Sequence, residues 1–462
     1  MSLNNLVEIS RRSIRTLDAA LNVTGQNIAN AGTPGYARRR LTFTPDAPLT
    51  RGLWSRPSAY TPLGGGVSIG SYERLRDRLL TTSAWEARGG LGYADEQQRV
   101  LGALEGVFPT DTGSLSTQLE DFWNGWSDLA DNPTDTGLRL TLRSRAQTLT
   151  GSLNRLSNDV TRLQEETQTD LAQGVDTVNG LLRQIADLNV QVTNSYHQGS
   201  PDFTAEDQRD ALLKELSNFV PVRVQSDADD GFTISVDGVT VVQGNTVQEL
   251  TLDTSGITPE VRFGDTPLAL RPSSEGGRIG GWLHTLQTTL PETQASLDTL
   301  ASTLVTQVNT LHATGYGLDG VTGRNFFDPA STTAATIQLS SDVLGDVNAI
   351  AASGDATASG DNGIALQIAA LRDAALMNSG TTTMGTYVID LVTGIGSQVE
   401  SALTQLSGQA MVVDNLDAME QGVSGVSVDE EMTHLIELQQ AYAASARVLN
   451  TAQEMMDTLL NL

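Results

Sequence analysis

The residues of this chain that could do chemistry are few. Four histidines, His197, His284, His312 and His434, stand far apart, and none has a second ligand at metal-binding spacing. There is no cysteine, so there is no thiolate metal site, thiol nucleophile or disulfide framework. No Gly-x-Ser-x-Gly, His-Glu-x-x-His or dinucleotide fingerprint occurs. Asp227-Ala228-Asp229-Asp230-Gly231 resembles the start of a calcium loop. Its glycine, however, is fifth rather than sixth and no glutamate is twelfth, so a hairpin turn fits better. Gly64-Gly65-Gly66 lacks the Lys-Ser/Thr that follows a phosphate-cradling loop. The only basic run, Arg38-Arg39-Arg40, reads as a local salt-bridging patch. Phe122-Trp123-Asn124-Gly125-Trp126 could stack sugars, but at helical spacing its rings read as bundle core. The residues offer no catalytic group, no metal ligand set and no cofactor site.

The informative residues lie at the two ends. Val7, Ile14, Leu21 and Ile28 fall at a seven-residue step, with Leu3 and Leu17 on the same stripe. Val428, Leu435, Tyr442, Leu449 and Met456 repeat the step, flanked by Leu438, Ala452 and Leu459. Such a step is the seam of a coiled coil. Seams at both ends of a 462-residue chain imply that the termini pair with each other or with neighbouring copies. Charge supports the pairing. Residues 1–90 hold 12 Arg against 6 acids, whereas the last 35 residues hold six acids and one Arg.

Between the ends, periodicity predicts helices over about 72–107, 114–130 and 134–196. The last has the seam Leu142, Leu149, Leu156, Leu163, Leu171, Val178, Ile185 and Val192. Residues 36–70 read as extended chain and turns. Residues 219–275 change to short β-rich runs with turns at Asp229-Asp230-Gly231 and Asp237-Gly238. No seam runs through this insert, so it reads as removable. Helices resume over about 279–313, 363–377 and 385–421, with a Gly-rich connection at 314–362 carrying a short strand near 336–340. Ser427-Val428-Asp429-Glu430 is a capping box that opens the last helix. The expected fold is mainly α. It is a long helical bundle with paired N- and C-terminal coiled-coil helices and a small β-rich insert domain. The expected parts are 1–45, 46–218, 219–275, 276–425 and 426–462. A net charge of −27 argues against nucleic acid, and no apolar run approaches the ~20 residues of a membrane span. Without a signal peptide's long apolar region, composition alone points to the cytoplasm.

Specific stretches carry a resemblance. Asn27-Ile28-Ala29-Asn30-Ala31-Gly32-Thr33-Pro34-Gly35-Tyr36 resembles the N-terminal signature of the flagellar rod, hook and hook-associated axial proteins. The following Ala37-Arg38-Arg39-Arg40, and the stretches 121–133, 207–213, 309–316 and 439–449, are similar to the hook–filament junction branch of that family. The resemblance implies a structural subunit, not an enzyme, exported unfolded through the flagellar type III apparatus and located outside the cell. That reverses the cytoplasmic expectation. It implies a homo-oligomeric ring on the hook protein, a second junction protein received on top, and a cytosolic export chaperone on the C-terminal region. The terminal helices would form an inner tube layer and the insert an outer domain. Assembly would rest on Leu3, Val7, Ile14, Leu17, Leu21, Asn27, Ile28, Asn30, Pro34, Gly35 and Tyr36, together with Leu435, Leu438, Tyr442, Leu449, Met456 and Leu459. The alternatives are a distal rod or hook protein of the same family, or a surface glycan-binding or hydrolysing protein using the tryptophan pair.

Overall fold

The computed structural model describes residues 3–46, 64–109, 113–226 and 231–460. Helix α1 (Leu3–Ala29) leads into a two-stranded ribbon, β1 (Arg39–Pro45) and β2 (Val67–Arg74). Five helices follow β2: α2 (Arg78–Val107), α3 (Leu115–Asp131), α4 (Thr136–His197), α5 (Phe203–Phe219) and, beyond the insert, α6 (Gly277–His284). The insert consists of β3 (Val222–Ser226), β4 (Phe232–Val236), β5 (Val239–Gln243), β6 (Thr246–Val247), β7 (Leu250–Asp253) and β8 (Glu260–Phe263). Then come α7 (Leu290–His312), the short α8 (Ser341–Gly345) and α9 (Gly363–Ala370), α10 (Met384–Ser424) and α11 (Val428–Leu460). The protein is mainly α, with small antiparallel sheets in the described residues.

The spine is α4, 62 residues and about 93 Å at 1.5 Å per residue. Its leucine seam is buried throughout, from Leu142 to Val192. Asp135 caps its start by accepting from the Gly137 and Leu138 amides. Packed along it are α3, α5, α6 and α7, and α10 lies along α2. Phe122, Trp123 and Trp126 are at most 1 % exposed and meet Phe326 and Phe327 in one aromatic cluster. That cluster fastens the 313–362 connection to the bundle. It also seals both tryptophans away from any sugar.

Several boundaries differ from the sequence reading, each for a physical reason. The helix expected from residue 72 starts at Arg78, because Tyr72, Glu73 and Arg74 pair across the ribbon with Leu41, Arg40 and Arg39. Asp77 then caps α2 through the Leu79 and Leu80 amides. Helix α5 was not anticipated. Glu206, Asp207, Arg209 and Asp210 are among its buried residues, so apolar periodicity does not see it. The strand near 336–340 reduces to one bridge, Phe327 to Leu339. Helix α9 ends at Ala370 rather than 377, and a turn at Asn378, Ser379 and Gly380 with φ of 50°, 60° and 84° redirects the chain. Between α6 and α7 the helix widens into a π turn at Thr285–Thr289, just before Pro291, whose ring nitrogen cannot donate.

The turn at Asp229-Asp230 lies outside the described residues. The other hairpin turn, Asp237-Gly238, has φ of 47° and 83°, the two left-handed positions of a type I′ turn. The insert is not a detached decoration. Ile234, Val236, Val242, Leu250 and Phe263 belong to the same apolar core as the helices. Two asparagines of α4 complete its edges. Asn179 exchanges hydrogen bonds with the Leu250 backbone at 2.8 and 2.9 Å, and Asn189 with that of Phe232 at 2.6 and 2.7 Å.

Candidate functional site: the terminal hairpin and its joint

The two ends come together as an antiparallel pair, α1 against α11. The buried positions of α1 are mostly small or polar: Val7, Ser10, Thr16, Ala20, Val23, Thr24 and Asn27. The larger stripe residues Leu3, Ile14, Leu17, Leu21 and Ile28 are only partly covered. On α11, Leu438 is buried, Leu435, Leu449 and Met456 are partly covered, and Tyr442 and Leu459 are 37 % and 62 % exposed. Ala20, Leu41 and Leu438 form a small apolar cluster of their own, backed by Leu17, Ala19 and Leu21. The hairpin therefore closes on small residues and leaves much of its apolar surface uncovered.

Where the hairpin meets the bundle, the chain builds a polar joint around Asn27, which is 1 % exposed. Its amide uses its full capacity of two donors and two acceptor lone pairs. Asn27 Nδ2 donates to the Arg39 carbonyl at 2.8 Å and to Glu431 at 3.0 Å. Its Oδ1 accepts from the Tyr36 hydroxyl at 2.9 Å and from the Arg39 amide at 3.0 Å. One side chain thus ties the end of α1, the start of β1, the intervening turn and the first turn of α11. Gly35 makes the turn possible with φ of 80°, a left-handed conformation that other residues adopt at a cost. Pro34 and Gly35 are exposed, and Asn30 is partly covered.

Around this centre the basic N-terminal region meets acids of the bundle and of α11. Arg38 donates to Glu431 at 2.7 Å and to Glu430 at 3.0 Å, and its amide to the Ser424 carbonyl at 2.8 Å. Arg74 is held between Glu206, Asp207 and Asp210 of α5. Arg76 bridges Asp210 to Glu420 of α10, and Arg88 pairs with Asp417 at 2.6 Å. Arg39 reaches Asp207 at 3.4 Å and lies 4.9 Å over the Tyr36 ring. Burial would lower the Arg74 guanidinium, but Asp210, Asp207 and Glu206 more than reverse it and hold it raised. Burial pushes the Asp207 carboxyl up to about 6 against the pull of Arg74 and Arg39. Tyr36 is also raised, chiefly by burial.

These acids were not singled out from sequence. The available signal was the opposite charge of the two ends, which told of pairing but not of which acids pair. Arg38 does meet an acid pair on α11, whereas Arg39, Arg74 and Arg76 turn instead to α5 and α10. The joint is a fixing device, in which Glu206, Asp207, Asp210, Asp417, Glu420 and Glu431 are each paired with an arginine. No cluster of three or more His, Asp or Glu able to hold a metal occurs among the described residues, and no described helix is long and apolar enough to cross a membrane.

Comparison with known proteins follows the same outline. The family model described as the flagellar hook-associated protein FlgK helical domain matches residues 101–327. That of the flagellar basal body rod FlgEFG protein C-terminal region matches 421–462. The chain is 27 % identical to the flagellar hook-associated protein 1 of Bacillus subtilis (strain 168), over 98 % of this chain and 97 % of that one. It is 23 % identical to the protein of the same name from Escherichia coli (strain K12), with both chains covered completely. Among solved structures, the flagellar hook junction protein FlgK from Burkholderia pseudomallei has the same fold. Its TM-score is 0.65 at 17 % identity, over 75 % of this chain and all of that one.

Proposed function

From the premise that this chain belongs to the flagellar hook-associated protein family, we propose that it assembles through its terminal hairpin into a ring at the hook–filament junction. It is a structural protein of the bacterial flagellum. The observation that carries the assembly reading is the uncovered apolar surface of the hairpin. Along α11, Val428, Met432, Ile436, Val448 and Met455 are 42–49 % exposed, on both flanks of the stripe that faces α1. Side-by-side hairpins of neighbouring copies would cover those flanks, so that folding of the ends and polymerisation become one event. The ring would sit on the hook protein and receive a second junction protein and then the filament. Export would proceed through the flagellar type III apparatus without a cleaved signal, with a cytosolic chaperone holding the uncovered C-terminal region.

Leu449 tests the reading. It lies partly covered on the α11 seam, away from the bundle. Leu449→Asp should leave the melting of the bundle unchanged and cost several kcal/mol of assembly where the site becomes dry (on the order of 3). Cells carrying it should build hooks, lack filaments and release filament protein into the medium. Normal filaments on the mutant would overturn the assembly role of the seam.

A further inference from the structure

Methionine is the only sulfur-bearing residue of the chain, because cysteine is absent. Its thioether has a reactivity that the assembly reading does not use. Where it meets solvent, a peroxide converts it to the sulfoxide, and a flexible apolar side chain becomes a polar one. Seven of the eight methionines lie among the described residues, and their surroundings divide them. Met377 and Met384 are sealed in the bundle core, 2 % and 0 % exposed. Met456, on the α11 seam, is partly covered. The exposed ones are Met411, Met419, Met432 and Met455, at 62 %, 54 %, 44 % and 43 %, and all stand on α10 and α11. Two of these sit within the surface that assembly would cover. Met432 stands one helical turn from Val428 and one from Ile436, and Met455 stands one turn before Leu459 and two after Val448. Met432 and Met455 are about 140° apart around the helix axis, so each flank of α11 has a methionine in its apolar row.

We propose that Met432 and Met455 are a peroxide-modification site that governs assembly. Hydrogen peroxide oxidises both in the free chain, the sulfoxides keep the α11 flanks from packing, and packing in turn shields the thioethers. This inference rests on the assembly reading above. The sulfur lone pair attacks one peroxide oxygen, and the S–O bond forms as the O–O bond breaks. The departing hydroxide takes the proton left on the transferred oxygen and leaves as water. The thioether gives up two electrons and the peroxide accepts them. No thiol in the chain competes for the oxidant, because there is no cysteine. In a single copy the change costs little, since both side chains face water before and after it. In a dry contact the new oxygen loses its water, and its row neighbours Val428, Ile436, Val448 and Leu459 have no side-chain donor to replace it. The fold therefore tolerates the sulfoxides and a dry contact does not.

The test has two arms. In the first, purified chain is treated with hydrogen peroxide at neutral pH, quenched with free methionine and added to hooks isolated from cells that lack the chain. Chain sedimenting with the hooks is then measured. Peptide mass mapping should find sulfoxide at 411, 419, 432 and 455 and none at 377 or 384, with the melting of the bundle unchanged. Sedimentation with hooks should fall by about tenfold or more. Met432→Leu/Met455→Leu, which keeps the apolar bulk, should stay within about twofold of its untreated level after the same treatment. Met411→Leu/Met419→Leu should lose sedimentation as the wild type does. The second arm needs no reconstitution: in isolated flagella, Met432 and Met455 should oxidise about tenfold more slowly than in the free chain. If chain fully oxidised at 432 and 455 joins hooks as well as untreated chain, or if the Met432→Leu/Met455→Leu chain is inactivated equally, the redox inference is wrong and the assembly reading stands. If untreated chain does not join hooks, and Met432 and Met455 react in flagella as fast as in the free chain, both fall.

Discussion

Asn27→Ala is the substitution that separates the joint from the bundle. The wild-type amide makes four hydrogen bonds, two to Arg39, one from Tyr36 and one to Glu431, and is 1 % exposed. Alanine leaves the Arg39 amide and carbonyl, the Tyr36 hydroxyl and one Glu431 oxygen without this partner. An orphaned buried polar group costs about 1–3 kcal/mol, and such costs are not additive within one network, so roughly 3–5 kcal/mol is expected for the set. That figure falls on closure of the joint, not on unfolding of α4 and its partners, because none of the four bonds reaches the bundle core. It corresponds to an increase of about 10²–10⁴ in opening of the joint, at 1.4 kcal/mol per factor of ten. Amide hydrogen exchange reads this directly. The Arg39 amide and peptides covering 428–438 should exchange faster by about that factor, while peptides of α4 stay as in the wild type. The reasoning is refuted if exchange at 36–41 and 428–438 is unchanged, or if the bundle's melting temperature falls in step with it.

Other expected outcomes follow from the same geometry. Gly35→Val must take a φ of 80° with a β-branched side chain, at about 2 kcal/mol or more, whereas Tyr36→Phe loses one hydrogen bond at about 1; filament retention and swimming should fall further in the first, and equal, near-normal motility in both would contradict the turn's role. His312 is fully buried, its Nδ1 donating to the Arg324 carbonyl at 2.8 Å and its Nε2 accepting from the Ala351 amide at 2.9 Å, and burial lowers its pKa from 6.5 to about 4. The unfolded chain therefore binds this proton first, so stability from His312 is complete above about pH 6.5 and declines by about 3 kcal/mol as pH falls through 4; denaturant melts of wild type and His312→Gln should differ in pH slope over that window only. Replacing 222–272 by a short Gly/Ser linker should lower the bundle's melting temperature by roughly 10 °C or more, because Leu182 and Ala186 of α4, between Asn179 and Asn189 on one face, lose their cover; an unchanged transition by circular dichroism would show that the strands are separable.

What was legible in the sequence divides along the line between periodic and non-periodic contacts. The leucine step of α4 specifies a buried face at every turn, and the structure buries each of its eight seam residues. Helix α5 was hidden because its buried residues mix Glu206, Asp207, Arg209 and Asp210, which a hydrophobic period counts as surface, with Phe203, Leu213 and Leu216. The ribbon was read only as extended chain and turns, because its extra residue falls in β2: Gly70 and Ser71 together stand opposite Thr42, which breaks the alternation of that strand, and a Cβ at Gly70 would collide with Thr42 and Thr44. The joint was visible only as a signature around Asn27 and Tyr36. Its partners, Asp207, Asp210, Asp417, Glu420 and Glu431, come from three other helices at sequence separations that leave no local pattern.

The chemistry of the joint also explains why it is not simply apolar. Desolvating the arginines and acids of this network is expensive, and a well-packed apolar contact would hold the hairpin to the bundle at least as firmly. An apolar contact, however, tolerates sliding and rotation, since dispersion and burial are non-directional. The forked contacts of Arg74 to three α5 carboxylates and the saturated amide of Asn27 each have one geometry. In the ring proposed above, an error in the angle between hairpin and bundle would recur at every copy and be cumulative on closure. A directional joint is therefore favoured over a stronger, softer one. The consequence is measurable in Arg74→Met, which keeps bulk and removes the fork. It should leave the hairpin attached while broadening the distribution of hairpin–bundle distances between spin labels placed at residues 19 and 180. A distribution as narrow as the wild type's would show that the arginine network does not set the angle.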